Sequence, residues 1–277
     1  MFARIIGAAT RGVLVALLIA MPSLLLPVSA TESPEIIVFM ALLGGTLTFA
    51  EYFSSFPSFV EFRQAPPLNR MRFLSLFAMV GLLSLLARHP LDPTGLTALV
   101  HEVAARLGAG MDFAYSPVQL TTLMMPADVP DATVLAVRSA AGISYLVAAL
   151  SIVTFALAVR IGNWPLGNGA FNVWVNLPLF DPTTGGDVVI RLQRDGRVNM
   201  VIGALLPFAI PAAIKLASGI IDPAVFAAPQ TLVWTVSAWA FVPASMIMRG
   251  LALMRVAELI AQRRRAAYAD PETLQTA

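Results

Sequence analysis

The run GVLVALLIAMPSLLLPVSA, residues 12–30, leads directly into TESPE, residues 31–35, and its reading sets the topology from which the rest is argued. Val28, Ser29 and Ala30 make a small-residue pattern that a signal peptidase can cut. The apolar run before them, however, exceeds the roughly 7 to 15 residues of a cleavable signal core. It is long enough to span a bilayer, and we read it as a retained helix. Cleavage after Ala30 would remove this span and leave the orientation of the others unchanged.

Working outward, 58% of the 277 residues are hydrophobic and only 12% are charged, and the mean hydropathy is +0.78. That is too little polar surface to cover a water-soluble globule. Cysteine is absent, which removes disulfides, thiolate metal sites and cysteine nucleophiles. All but one of the 18 basic residues are arginine, the exception being Lys215, and alanine is abundant. This bias is that of a GC-rich bacterial genome and places the expected location in a bacterial inner (cytoplasmic) membrane. The pI near 9.4 is then a matter of topology before it is one of nucleic acid.

A helix needs about 20 residues to cross roughly 30 Å of hydrocarbon. Six stretches qualify: 12–30, 34–52, 71–88, 137–161, 199–221 and 223–248. Positive residues resist translocation and accumulate in cytoplasmic segments. With the amino terminus inside, 14 of the 18 basic residues fall on the cytoplasmic side, and only Arg88, Arg106 and Arg138 fall opposite, with Lys215 inside the fifth span. The expected fold is therefore an all-α integral membrane protein with six transmembrane helices and both termini inside. It divides into three spans (1–88), an exported loop (89–130), a fourth span (131–161), a cytoplasmic loop (162–198), two further spans (199–250) and a cytoplasmic tail (251–277).

Three segments outside the hydrocarbon carry organisation. In the exported loop, Leu96, Leu99, Val100, Val103 and Leu107 recur at helical spacing and Gly108 is a stop signal, which predicts a short amphipathic helix on the outer face. On the other side, Phe53, Phe56, Phe59 and Phe62 repeat every three residues, a pattern suited to a headgroup interface. The third segment holds two β-prone runs, 171–177 and 188–193, around DPTTGGD (181–187), and predicts a small cytoplasmic β-hairpin. Asp195 and Gly196 would make a second turn before the fifth span. Trp164, Phe171, Trp174 and Phe180 form the candidate docking surface of this segment.

Candidate intramembrane polar residues are Lys215, Glu51 and Asp222. Lys215 lies about 9 Å from the outer end of its span at about 1.5 Å per residue, close enough to snorkel towards Asp222; a substrate or proton pathway is the alternative. Glu51 shares a helical stripe with Gly44 and Thr48, which suits either a cation route or an interfacial carboxylate beside arginines. Pro22, Pro27, Pro207, Pro211 and Pro243 interrupt three of the spans without matching breaks in the two halves, so no inverted repeat emerges. Arg191, Arg194 and Arg197 in RLQRDGR, and Arg263, Arg264 and Arg265 in AQRRRA, sit just inside the membrane and suit anionic headgroups. They lack the interleaved aromatics that stack bases, so membrane lipid rather than nucleic acid is the expected partner.

No phosphate-cradling loop, dinucleotide motif, metalloprotease His pair or nucleophile elbow occurs, and His89 and His101 stand apart from any carboxylate cluster. No catalytic residue, cofactor or metal is expected. The leading expectation is a non-catalytic accessory, assembly or structural subunit that meets another membrane protein or a second copy. The alternatives are a small-molecule or ion transporter or channel, and a membrane lipid-modifying enzyme. A reporter fused after Ala277 or within 181–187 should be cytoplasmic and one placed near Gly110 exported; export of the carboxy-terminal fusion reverses the whole assignment.

Overall fold

The computed structural model describes residues 2–27, 34–56, 58–162, 164–165, 171–181, 185–217 and 228–269. Among them are nine helices: α1 (Phe2–Leu25), α2 (Pro34–Phe53), α3 (Leu68–Arg88), α4 (Gly95–Met111), α5 (Pro117–Leu123), α6 (Asp131–Ile161), α7 (Val173–Asn176), α8 (Val188–Leu216) and α9 (Pro229–Ala269). Six of them, α1, α2, α3, α6, α8 and α9, are long and apolar enough to cross a membrane, so the chain is a multi-pass helical membrane protein. No strand occurs among the described residues.

The expected β-hairpin is therefore corrected. Residues 173–176 form the short helix α7, and 188–193 are the opening turns of α8. The Asp187 carboxylate accepts the N–H groups of Val189 at 2.8 Å and Ile190 at 3.1 Å, so the residue read as part of a turn is a helix N-cap. Val189, Leu192 and Gly196 then fall on one buried stripe, and packing overrides the β preference of the branched run. Asp195 and Gly196 lie inside the helix rather than in a second turn. Arg264 hydrogen-bonds Asp187. That bond, with the N–H groups of Ile190 and Val189, holds the Asp187 carboxyl below the usual carboxylate range. Its contribution to the cap is present at neutral pH and is lost only as pH falls through the lowered value.

Other boundaries move outward for the same reason: polar residues continue a helix beyond the hydrocarbon when its ends are capped or packed. The helix expected in the 89–130 loop is present as α4, with Thr94 and Thr97 closing a capping box. Its contact face is narrower than the apolar spacing suggested. Thr97, Val100, Ala104 and Gly108 are buried, whereas Leu96, Leu99 and Val103 remain exposed. Gly108 does not stop the helix but packs against α6, since a Cβ on Gly142 would lie 2.6 Å from the Gly108 Cα. Helix α5 follows, capped by Ser116 with Pro117 at its first position.

The spans alternate in direction and define two ends. Arg4 bonds the Phe53 carbonyl and Arg11 stacks on Tyr52 at 4.7 Å, joining the start of α1 to the end of α2. The Arg264–Asp187 pair joins the end of α9 to the start of α8. These meet at the end rich in arginine, here the basic end. At the opposite end, Arg88 donates to the Leu25 carbonyl at 3.3 Å. Two buried clusters fill the bundle. One, towards the opposite end, gathers Met79, Leu83, Ala104, Val137, Val233 and Trp239; the other, towards the basic end, gathers Phe62, Phe155, Trp164, Leu192, Met248 and Leu253.

Proline does not break α8. Pro211 has no N–H to give the carbonyl four residues back, and that carbonyl, on Pro207, accepts Trp239 Nε1 from α9 at 3.1 Å. Close approach of small residues does the rest. A Cβ on Gly250 would lie 2.6 Å from the Gly196 carbonyl oxygen and 2.5 Å from Met200 Cγ, so α8 and α9 touch backbone to backbone. Gly250→Ala should lower stability by about 1–3 kcal/mol through this overpacking. Gly110→Ala, with nothing within 4 Å of the added methyl, should be neutral or stabilising by up to about 1 kcal/mol. Unfolding curves of both variants in detergent check the contrast.

Candidate functional site

The segment between α2 and α3 is the element from which the site is built. It is irregular, so its backbone groups need partners outside any ladder. Glu51, at the end of α2, supplies three: its Oε1 accepts the N–H groups of Ser58 at 2.6 Å and of Phe59 and Val60 at 3.0 Å. Arg63 folds back and donates to the carbonyls of Glu51 at 2.6 Å, Ser54 at 2.8 Å and Ser55 at 3.2 Å, closing the exposed end of α2. Glu51 is 4% exposed; the structure places it in a loop-holding role, far from Lys215 at the other end.

The same segment turns Phe62 inward. Phe62 adopts φ 54°, an uncommon conformation for a large residue, and is 1% exposed. Its ring lies 5.7 Å from Trp164 and 6.2 Å from Phe171. Its N–H donates to the Asn176 carbonyl at 2.6 Å, and the Gln64 N–H donates to Asn176 Oδ1 at 2.9 Å. Trp164 Nε1 donates to the Ala65 carbonyl at 3.2 Å. Thus Trp164 is 4% exposed and Phe171 is half-buried, both against their own bundle. Phe180 is covered by the Arg191 guanidinium at 4.6 Å. The side chain of Trp174 lies outside the described residues. Of the phenylalanine repeat, Phe56 and Phe59 stay exposed while Phe62 does not.

Anchored in this way, the segment delivers Glu61 to α9. Arg249 Nε and Nη2 donate to its two carboxylate oxygens at 2.5 and 2.6 Å, a bidentate pair. Asn69 Nδ2 donates to the Glu61 carbonyl at 2.7 Å, and Arg72 Nη2 to the Ser245 carbonyl at 3.0 Å. Around them opens a cleft of about 430 Å³ lined by Phe59, Val60, Glu61, Asn69, Arg72, Leu179, Asn199 and Arg249. Its single carboxylate is fully engaged by Arg249. Arg72 Nε is buried without a hydrogen-bond partner among the described residues.

The remaining sequence candidates are scattered. Lys215 closes α8 and donates to the Met125 carbonyl at 3.4 Å, at the opposite end; Asp222 lies outside the described residues. Arg191 donates to the Asp181 carbonyl at 2.9 Å, Arg194 lies 3.4 Å from Asp195, and Arg264 joins Asp187. Arg197, Arg263 and Arg265 are exposed. His89 and His101 come together, with ring centroids 4.7 Å apart, but no group of three or more acidic or histidine side chains suited to a metal occurs among the described residues. The cleft residues Glu61, Asn69, Arg72, Asn199 and Arg249 were not singled out by sequence. The one available signal was an arginine at the edge of an apolar run, in Arg72 and again in Arg249.

A second surface lies between α1 and α2. A Cβ on Gly12 would lie 2.7 Å from the Gly45 carbonyl oxygen, so the two helices touch closely. A shallow apolar groove of about 300 Å³ beside that contact is lined by Ala9, Gly12, Ala16, Ala41, Leu42 and Gly45, among others. Comparison with protein-family models, curated proteins and solved structures gives no match.

Glu61→Gln should cost about 3 kcal/mol of stability, since it removes one member of a largely buried pair and leaves two guanidinium groups facing each other. The paired change Glu61→Leu with Arg249→Met should recover most of that loss. Denaturant titration of wild type, Glu61→Leu, Arg249→Met and the double variant, with Glu61→Gln alongside, measures the coupling.

Proposed function

We propose that the protein is a non-catalytic accessory or structural subunit of a larger complex in a bacterial inner membrane, with both termini cytoplasmic. The observation that carries this reading is the position of α2. This span packs on α1 and hardly on the rest of the bundle, and only Ala41, Gly45 and Glu51 of it are buried. A helix that contributes so little to its own core, beside a groove of small residues, offers the close backbone approach on which helix association in lipid depends. The occupant is a transmembrane helix of another membrane protein.

Two further features agree. The cleft at the basic end holds one carboxylate and commits it to Arg249, which leaves no free acid–base pair in it. Lys215 lies at the other end of the molecule, bonded to a loop carbonyl, so it shares no polar cavity with the cleft. Both favour a binding role over turnover or transport.

A photoreactive residue at position 42, where Leu42 is 64% exposed on α2, should give one discrete protein adduct in native membranes. The same probe at position 157 on α6, also lipid-facing, should give lipid adducts only. Lipid adducts alone at both positions would overturn the reading. An adduct solely with a second copy would replace the accessory role by self-assembly.

A further inference from the structure

The cleft beneath the Glu61–Arg249 pair carries more positive charge than the chain itself neutralises. Two guanidinium groups, Arg72 and Arg249, face one carboxylate, Glu61, and the bidentate geometry uses both of its oxygens. Asp195, one turn before Asn199 on α8, is a further carboxylate that acts on Arg249, and it pairs with Arg194 at 3.4 Å, so with both counted the guanidinium groups still outnumber the carboxylates by one. The donors are unequally used as well. Arg72 spends Nη2 on the Ser245 carbonyl at 3.0 Å, while its Nε is buried with no partner among the described residues. Arg249 spends Nε and Nη2 on Glu61, and its Nη1 bonds nothing among the described residues. A guanidinium N–H without an acceptor is costly and uncommon, and the parts of Arg72 and Arg249 that line the cleft are what a ligand there can reach.

Depth and shape say what kind of group. Arg72 lies one turn into α3, and Arg249 and Asn199 lie where the apolar runs of α9 and α8 meet polar sequence. That is the level of lipid headgroups. The mouth carries exposed apolar residues, Phe59 at 55% and Leu179 at 70%. A basic floor under an apolar lip suits a ligand with an anionic head and an apolar body, and basic pockets between spans are the usual seat of acidic headgroups. A monoanionic phosphodiester matches the single uncompensated charge, and the planar arginine fork fits phosphate oxygens.

We propose that this cleft binds a phosphate group, held by Arg72 and by the free edge of Arg249, with Glu61 fixing the Arg249 fork in place. The assignment is independent of the partner helix proposed for α2, because the two surfaces lie on different elements.

The test is thermal unfolding of the delipidated protein in neutral detergent, titrated separately with phosphatidylglycerol, with zwitterionic phosphatidylcholine and with inorganic phosphate. Saturable stabilisation by phosphatidylglycerol but not phosphatidylcholine is expected. Stabilisation by inorganic phosphate as well would identify a soluble phosphate source rather than a headgroup. In either arm, Arg72→Gln should raise the half-saturating concentration about tenfold or more, the loss of one charge-assisted contact. Arg72→Lys should recover part of it, and Arg106→Gln, exposed on α4 at the opposite end, should match wild type. If Arg72→Gln does not fold, Asn199→Asp adds a negative charge to the cleft, leaves the Arg72 contacts intact, and should weaken binding to a similar degree. Equal stabilisation of wild type and the cleft variant, or no stabilisation by either phosphate probe, overturns the assignment.

Discussion

The bidentate contact between Glu61 and Arg249 is the constraint around which the basic end is organised. It ties an irregular loop to the middle of a long membrane helix, across a sequence separation that no local rule spans. A carboxylate and a guanidinium placed there must be nearly fully satisfied, because desolvation would otherwise outweigh their attraction. The surrounding structure fixes Glu61 so that both of its carboxylate oxygens are engaged. Asn69 holds the Glu61 carbonyl, Glu51 collects three loop N–H groups, and Arg63 closes the end of α2. The loop is thereby as well determined as the helices it joins.

Rigidity at this end has consequences for the neighbouring segments. With the 58–67 backbone fixed, Phe62 is driven into the space between Trp164, Phe155 and Phe171, and Asn176 bonds two of the loop's N–H groups. Trp164, which suits a docking surface by composition, is buried in closing the protein's own bundle. What remains outward is a basic cleft at this end and, elsewhere, the exposed apolar faces of α1 and α2. The opposite end is built differently: capped short helices, α4 and α5, cover the bundle there, and Lys215 is drawn to a loop carbonyl by its position in the last turn of α8, where a cation also complements the helix dipole.

Small residues set how closely the spans approach. Gly12 with Gly45, Gly108 with Gly142, and Gly196 with Gly250 each bring two backbones into contact. In lipid, where apolar burial between helices gives little advantage, such contacts and a few buried hydrogen bonds supply the association energy. The Trp239–Pro207 bond belongs to the same set: Pro211 would leave the Pro207 carbonyl unpaired, and the neighbouring helix satisfies it. Prolines of the kind that mark broken transporter helices therefore leave α8 continuous here.

Hydropathy alone determined the number of spans, because crossing the hydrocarbon demands about 20 apolar residues and nothing else among the described residues is that long and apolar. Helical spacing likewise determined α4. The segment 171–193 was decided by tertiary structure: Val188, Val189 and Ile190 read as a strand by composition, and became helix because Asp187 caps them and Val189, Leu192 and Gly196 find a buried face. The face of α4 that packs was decided the same way, by the close fit of Gly108 on Gly142 rather than by its leucines. Glu61, Arg72 and Arg249 carry no motif. A charge cluster assembled from one loop and two helices exists only once the chain has folded, since its energy depends on burial and distance, and sequence order records neither.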